Sequence, residues 1–500
     1  MSHARAWRAP DEAAPELRVV ARGRGVRRGV PSAWVQLAMI LAALAVLPFV
    51  TRVDNDFWWH LRTGDVIVHG GIPRHDPFSW TAAGKRWVTH EWLSEALIYA
   101  VESALGYAGN ALLFDAVAIA SVLIMYRCAR AMGAGTRPLV VVLLVAALVL
   151  RMFITVRPQL FTWLFLAVFI SLLVREDGAT TSRRAWLLPP LMALWANLHL
   201  GFVYGEAVVG CWLFSRVIAR LGDPSVRLGE PALVTLGCVA AAMLTPAGPP
   251  LLLYPLRYLT DGHETQAHVA EWQRPNPLNV FRLPIFIVAA ALALALISRH
   301  RPRPFLVLVS ALFIALSMQA VRNAPFAALV ALPVVGVAAS RRWPRFGRDT
   351  GVRIPIALAL LFPAISGGLV VAGSLGPGSG TASLLRPSER QYPGAAIAYA
   401  DAHLRGERVL NYYDWGGYQT WKAPALPVAI DGRTDFYGDA LMKDYFTMIW
   451  TGNGWEALLD AYGVDAVLLP AQNQLVEQLR DDPSWAVTFE GAQAVVIERR

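Results

Sequence analysis

Between residues 33 and 373 the chain alternates long apolar runs with short polar segments. Below that scale there is little period-2 or period-3.6 patterning. Crossing a bilayer takes about 20 consecutive apolar residues as helix. Runs approaching that length lie near 33–50, 109–126, 138–154, 158–174, 186–200, 204–219, 231–248, 283–298, 305–320, 324–339 and 354–373. They predict a polytopic α-helical membrane protein of about 11 spans. Residues 92–106 differ, because their apolar positions recur at helical spacing with Glu95 and Glu102 among them, as in an amphipathic helix at the interface. After 373 the texture changes again. A Gly/Ser/Pro-rich stretch at 374–387 predicts a linker, and 388–500 predicts a small α/β domain. Its expected strands lie near 407–412, 427–430, 464–469, 484–489 and 493–498, with helices at 389–404, 438–461 and 471–480.

Arginines orient the runs. Cytoplasmic loops carry an excess of Lys and Arg, and alternate loops here hold Arg127, Arg130 and Arg137, then Arg175, Arg183 and Arg184, then Arg216, Arg220 and Arg227. Arg299, Arg301 and Arg303 follow, then Arg341, Arg342, Arg345, Arg348 and Arg353. The pattern predicts a basic cytoplasmic segment at 1–32, a transmembrane domain at 33–373 with a long first outer loop at 51–108, and an extracytoplasmic C-terminal domain. That arrangement suits a bacterial-type inner (plasma) membrane. A cleaved signal peptide shares the basic N-terminal grammar, but the run from Trp34 to Val50 is long enough to span and many spans follow.

Composition agrees. Of 500 residues 55% are hydrophobic and 16% charged, with mean hydropathy +0.42, too apolar for a soluble domain of this length. The net charge of +9 sits in loop clusters rather than along a phosphate-tracking groove, which argues against nucleic acid. Cys128, Cys211 and Cys238 lie in or beside apolar runs and imply neither disulfides nor a zinc site.

The residues capable of chemistry gather in the loops expected to face outward. The first outer loop opens Asp54-Asn55-Asp56-Phe57-Trp58-Trp59-His60-Leu61-Arg62. Two carboxylates at this spacing can share a divalent cation or act as base and partner, or form a solvated acidic turn beside an aromatic belt. His75, Asp76, His90 and Glu91 in the same loop can complete a cation site, or serve as turn and interface residues. Arg157 and Arg322 stand at outer ends of spans, where a lipid diphosphate headgroup would lie and where Arg can also snorkel. His199 stands at a third corner, and Glu271 in the loop that also holds His263, Glu264, His268 and Trp272.

The stretch Asp56-Phe57-Trp58-Trp59-His60-Leu61-Arg62 resembles the Asp-x-aromatic-aromatic-Asn/His-x-Arg pattern after the first span of oligosaccharyltransferase catalytic subunits. The whole plan resembles the GT-C class of glycosyltransferases. Asp76-Pro77-Phe78-Ser79-Trp80-Thr81 with His90-Glu91-Trp92-Leu93 is similar to uncharacterised bacterial membrane proteins of that type. Tyr412-Tyr413-Asp414-Trp415-Gly416 resembles the acceptor motif Trp-Trp-Asp-Tyr-Gly, with every aromatic changed, and Asp431-Gly432-Arg433 follows it. The resemblance implies a polyprenyl-phosphate-linked sugar donor and a glycan, lipid or protein acceptor in a membrane-lipid setting. It places Asp56, with Asp54, as catalytic base or as ligands of a divalent cation such as Mg or Mn. Arg157, Arg322 and His199 would bind donor phosphate, Arg62, His75, Asp76, His90, Glu91 and Glu271 would be secondary candidates, and Asp414, Trp415, Asp431 and Arg433 would lie on the acceptor side. The expected reaction is inverting glycosyl transfer. A flippase for a lipid-linked substrate is the alternative and predicts polar groups inside the spans. A non-catalytic assembly protein, the third class, would tolerate loss of the first-loop carboxylates.

Overall fold

A computed structural model of the protein describes residues 37–38, 40–41, 44, 53–176, 183–256, 263–299, 302–347 and 392–500. The apolar run at 354–373, the linker at 374–387 and most of the run at 33–50 lie outside the described residues.

The expected first outer loop begins as a helix. Helix α1, Asn55–Gly70, starts where the Asp54 carboxylate accepts the Asp56 backbone N–H. It carries Asp56 in its first turn and ends before Gly71 at φ 88°. These are a side-chain N-cap, an acid favoured by the helix dipole and a glycine taking the left-handed exit. Helix α2, Trp92–Ala131, is interrupted at Gly106, whose φ of 65° separates the amphipathic turn-run from the apolar length beyond it. The helical segments that follow are α3 (Thr136–Leu150), α4 (Gln159–Glu176), α5 (Leu188–Leu198), α6 (Phe202–Gly222), α7 (Gly229–Ala242), α8 (Leu283–Ile297), α9 (Pro304–Gln319) and α10 (Ala324–Arg342). Among the described residues, five helical stretches are long and apolar enough to cross a membrane: 92–131, 159–176, 202–222, 280–297 and 321–342; α3, α7 and α9 are shorter apolar helices.

The C-terminal part holds a four-stranded sheet of β1 (Val409–Asn411), β2 (Ala466–Pro470), β3 (Trp485–Glu490) and β4 (Ala494–Arg499), in the order β1-β2-β4-β3. The β1–β2 pair is parallel and the other two pairs are antiparallel. Around it lie α11 (Gly394–His403), α12 (Tyr413–Lys422), α13 (Asp439–Ile449), α14 (Trp455–Tyr462) and α15 (Gln474–Asp481). Two expectations change. The helix predicted at 438–461 is split by Thr451, at φ 52°, and Gly454, at φ 86°. The strand predicted at 427–430 does not join the sheet, because the Asn411 side chain takes the backbone groups of Ala429 and Ile430. Val428 pairs instead with the first-loop segment, through Trp80 N–H to Val428 O and Val428 N–H to Phe78 O.

The membrane-type helices and the C-terminal part are thus packed on each other through the first loop. Phe57, Trp58 and Trp59 are buried rather than spread along an interface. Trp58 sets its edge on Tyr392 and Tyr418, which stack at 4.4 Å, a geometry worth about 0.5–1.5 kcal/mol per pair beyond area burial. Gly417 lets α12 lie against α1, since a Cβ there would sit 2.8 Å from the Asn55 carbonyl oxygen. Gly64 does the same for α2, where a Cβ would come within 2.1 Å of the Glu95 carbonyl.

Candidate functional site

The corner at 151–158 and the loop at 271–273 reach α1 from the helical side. Arg157 is central to the resulting group. Its guanidinium donates to Asp56 at 2.5 Å and to Glu271 at 3.0 Å, and lies 3.7 Å from Asp54. Asp54 is already committed, one oxygen to the Asp56 backbone N–H and the other to the Thr155 hydroxyl. The guanidinium therefore takes the place between these carboxylates that the sequence reading gave to a divalent cation. With the guanidinium between them and Asp54 already committed, Asp54 and Asp56 do not fit a shared metal position. Arg322 completes the group. Its backbone N–H donates to the Glu271 carbonyl, its guanidinium lies 3.6 Å from the Glu271 carboxylate, and the same guanidinium stacks 4.0 Å over Trp272. Burial pushes the Asp56 carboxyl up to about 7, against the opposing pull of Arg157. Burial would raise Glu271 too, but Arg157 and Arg322 hold it below the usual range.

One turn further along α1, His60 meets Glu91 and Glu95, which sit at positions i and i+4 around the start of α2. His199 approaches Glu91 from the corner after α5, with Nε2 3.3 Å from the carboxylate. Its Nδ1 accepts from the Gly201 backbone N–H at 2.9 Å, so the neutral ring carries its proton on Nε2, the nitrogen that faces Glu91. Burial keeps His60 and His199 well below the ordinary histidine range and raises Glu91. Neighbouring His90 pairs with Asp435 at 3.1 Å, and Asp435 also accepts from the Tyr254 hydroxyl.

The C-terminal part closes the site from the other side. Asp414 and Trp415 do not end a strand but lie in the first turn of α12 and line the cavity. Asp431 and Arg433 act beneath the surface. Arg433 is 2% exposed, pairs with Asp431 and Asp76 at 2.7 Å each, and sits among the rings of Phe78, Trp87 and Phe436. This clasp ties the first loop to the C-terminal part. Gly432, between the two ionic residues, packs on the Asp56 carboxylate so closely that a Cβ would come within 2.0 Å of Asp56 Oδ1.

Together these elements enclose a cavity of about 760 Å³. Asp54, Asp56, His90, Glu91, Arg157, His199, Glu271, Arg322, Asp414 and Trp415 line it, so most of the candidates from distant loops meet. Arg62 does not, because its guanidinium turns to Asp65. His75 is exposed at a short bridge with Arg86, and Asp76, Asp431 and Arg433 are spent on the clasp. Sequence reasoning passed over Gly432, His60, Glu95, Asp435 and Tyr413. The Gly432 signal was legible in part, since a glycine between two opposite charges allows a close backbone approach.

No family model matches the chain, and no curated protein sequence does. Solved structures do. The chain aligns to the crystal structure of the Archaeoglobus fulgidus oligosaccharyltransferase, captured with a tethered acceptor peptide containing the NVT sequon. The TM-score is 0.54 at 11% identity, over 88% of this chain and 69% of that one. The chain shares the fold of that oligosaccharyltransferase. ArnT from Cupriavidus metallidurans, bound to undecaprenyl phosphate, also aligns, with TM-score 0.49 and 12% identity over 94% of this chain and 98% of ArnT. Its apo state aligns with the same TM-score at 14% identity. With several apolar helices long enough to span, the chain is a multi-pass membrane protein.

Proposed function

We propose that the protein transfers a sugar from a polyprenyl-phosphate-linked donor to a hydroxyl-bearing or amide-bearing acceptor, with inversion at the anomeric carbon. The observation that carries this is that Asp56, paired with Arg157, and Arg322 line one cavity. Asp56 takes the acceptor proton as the acceptor attacks the anomeric carbon, the bond from that carbon to the phosphate oxygen breaks, and the polyprenyl phosphate leaves. Negative charge grows on the departing phosphate, and fixed cations in a poorly hydrated site stabilise it. Arg322 is suited to this, since among the described residues it meets one carboxylate at 3.6 Å and keeps guanidinium donors for a ligand. Hydrogen bonds to charged groups contribute about 1.5–3 kcal/mol. Arg322→Gln should therefore weaken binding of a polyprenyl phosphate to purified protein about tenfold or more. An unchanged affinity would remove the phosphate from this corner.

The loop charges support about eleven spans in an inner membrane, with the N-terminus cytoplasmic and 388–500 extracytoplasmic. A cysteine introduced at Ser79 should react with an impermeant thiol reagent in intact cells, and one at Thr181 should not. The reverse labelling would invert the topology. One observation favours the flippase alternative. Asp115 is a buried carboxylate within α2, and neither of its oxygens has a hydrogen-bond partner among the described residues. An ionisable group inside a spanning helix is what a transporter would use.

A further inference from the structure

Among the described residues, buried and half-buried carboxylates around the cavity include three groups, and two of them have built-in cations. Asp54, Asp56 and Glu271 share Arg157, and Asp76 and Asp431 share Arg433. The third group, Glu91 and Glu95, has no Lys or Arg within ion-pair distance among the described residues. Its partners are histidines. Leaving such a pair buried without a counter-ion is costly.

We propose that His60, Glu91 and Glu95 form a divalent transition-metal site of the zinc class at the floor of the cavity. Their donor atoms lie within 4.8 Å of one another. His60 Nδ1 is 3.4 Å from Glu95 Oε1 and 3.6 Å from Glu91 Oε2. Zinc bonds of about 2.0–2.2 Å at tetrahedral angles hold ligand atoms roughly 3.4 Å apart, so this spacing is already near that of a coordinated set. A second observation points the same way. Glu95 is 1% exposed, and its other oxygen, Oε2, has no hydrogen-bond partner among the described residues. An orphaned carboxylate oxygen at that depth is accounted for by an ion that it can ligate.

The surroundings supply what such a site needs. His199, with its proton fixed on Nε2 by the Gly201 N–H, faces the Glu91 carboxylate at 3.3 Å, the place that outer partners take around bound metals. Trp195 Nε1–H donates to the Thr162 hydroxyl, which lies 2.7 Å from His199 Nδ1 and steadies the ring. Gly64, one turn beyond His60, allows α1 and α2 the close approach that brings the ligands together. With one imidazole nitrogen, carboxylate oxygens and no thiolate, the set suits zinc or a neighbouring first-row ion better than a soft metal. His60, Glu91 and His199 border the cavity, which leaves a side open for a further ligand.

The test is metal content and is independent of whether the protein transfers sugar. Untagged protein purified in detergent should hold about one zinc per chain by elemental analysis. After chelation, cobalt titration should produce visible d–d bands at the same stoichiometry. Glu95→Gln should lose the bands. His199→Gln, which removes only an orienting partner, should keep the fold and weaken the metal about 10- to 100-fold. Wild-type protein that neither carries zinc nor develops cobalt bands would overturn the site, as would full metal occupancy in both variants. In either case the glycosyl-transfer reading would stand untouched. Loss of transfer in wild-type protein with full metal would sink that reading and leave this one intact.

Discussion

Asp56→Asn should lower sugar transfer by a hundredfold or more while leaving the protein folded and correctly inserted. The substitution keeps shape and most hydrogen-bonding capacity but removes the negative charge that faces Arg157, and general-base catalysis contributes about 10²–10⁴-fold. The wild-type pH profile should carry the same signature. Only the ionised carboxylate can accept a proton, and burial has pushed this group up to about 7. Transfer should therefore rise with pH through about 7, and the residual rate of the Asn variant should lack that step. The measurement is label transferred from a polyprenyl-linked sugar in membranes containing equal amounts of each protein. A surface turn residue would change stability by only about half a kcal/mol and leave turnover almost intact. Near-wild-type transfer by Asp56→Asn, with an unshifted profile, would take the chemistry away from α1.

Arg433→Leu should destabilise the C-terminal part severely, although Arg433 lies outside the cavity wall. The leucine keeps apolar bulk among Phe78, Trp87 and Phe436 but leaves Asp76 and Asp431 buried without a cation. Removing one partner from a buried ionic group costs about 3–5 kcal/mol. The result should be a markedly lower unfolding midpoint in detergent and faster proteolysis within 71–91 and 392–500. Adding Asp76→Asn and Asp431→Asn to the leucine variant should recover part of the loss, because the unpaired charges are then gone. Unchanged proteolysis in the single variant would show that the clasp contributes nothing to the join between the two parts.

The sequence was most legible where one physical factor dominated. Apolar runs and arginine placement gave the helical membrane plan, and the corners between runs supplied Arg157, His199 and Arg322, which do meet Asp56 at one cavity. Legibility failed where a residue served two demands. Asp54 reads as half of an acidic pair, yet its carboxylate caps α1 and so sets the direction of Asp56. Asp431-Gly432-Arg433 reads as an acceptor-side turn. Its charges are buried against Asp76, 357 residues away from Arg433 in the chain, a pairing no local pattern announces. The 427–430 segment is apolar as a strand would be, but it forms only a single bridge, from Val428 to Ser79 of the first-loop segment, and not a strand of the sheet. Arg62 looks equivalent to the other arginines in sequence, and only the short reach to Asp65 along α1 removes it from the site.

A lipid-linked sugar should be consumed at the cavity shared by Asp56, Arg157 and Arg322. The direct measurement follows a polyprenyl-phosphate-linked sugar, labelled in the sugar, through membranes that contain the wild-type protein or Asp56→Asn. Wild-type protein should move the label out of the lipid fraction into acceptor material and release unglycosylated polyprenyl phosphate, with both changes lost in the variant. Label that changes leaflet but stays on its lipid in wild-type membranes would rule out transfer at this cavity and assign the protein to transport.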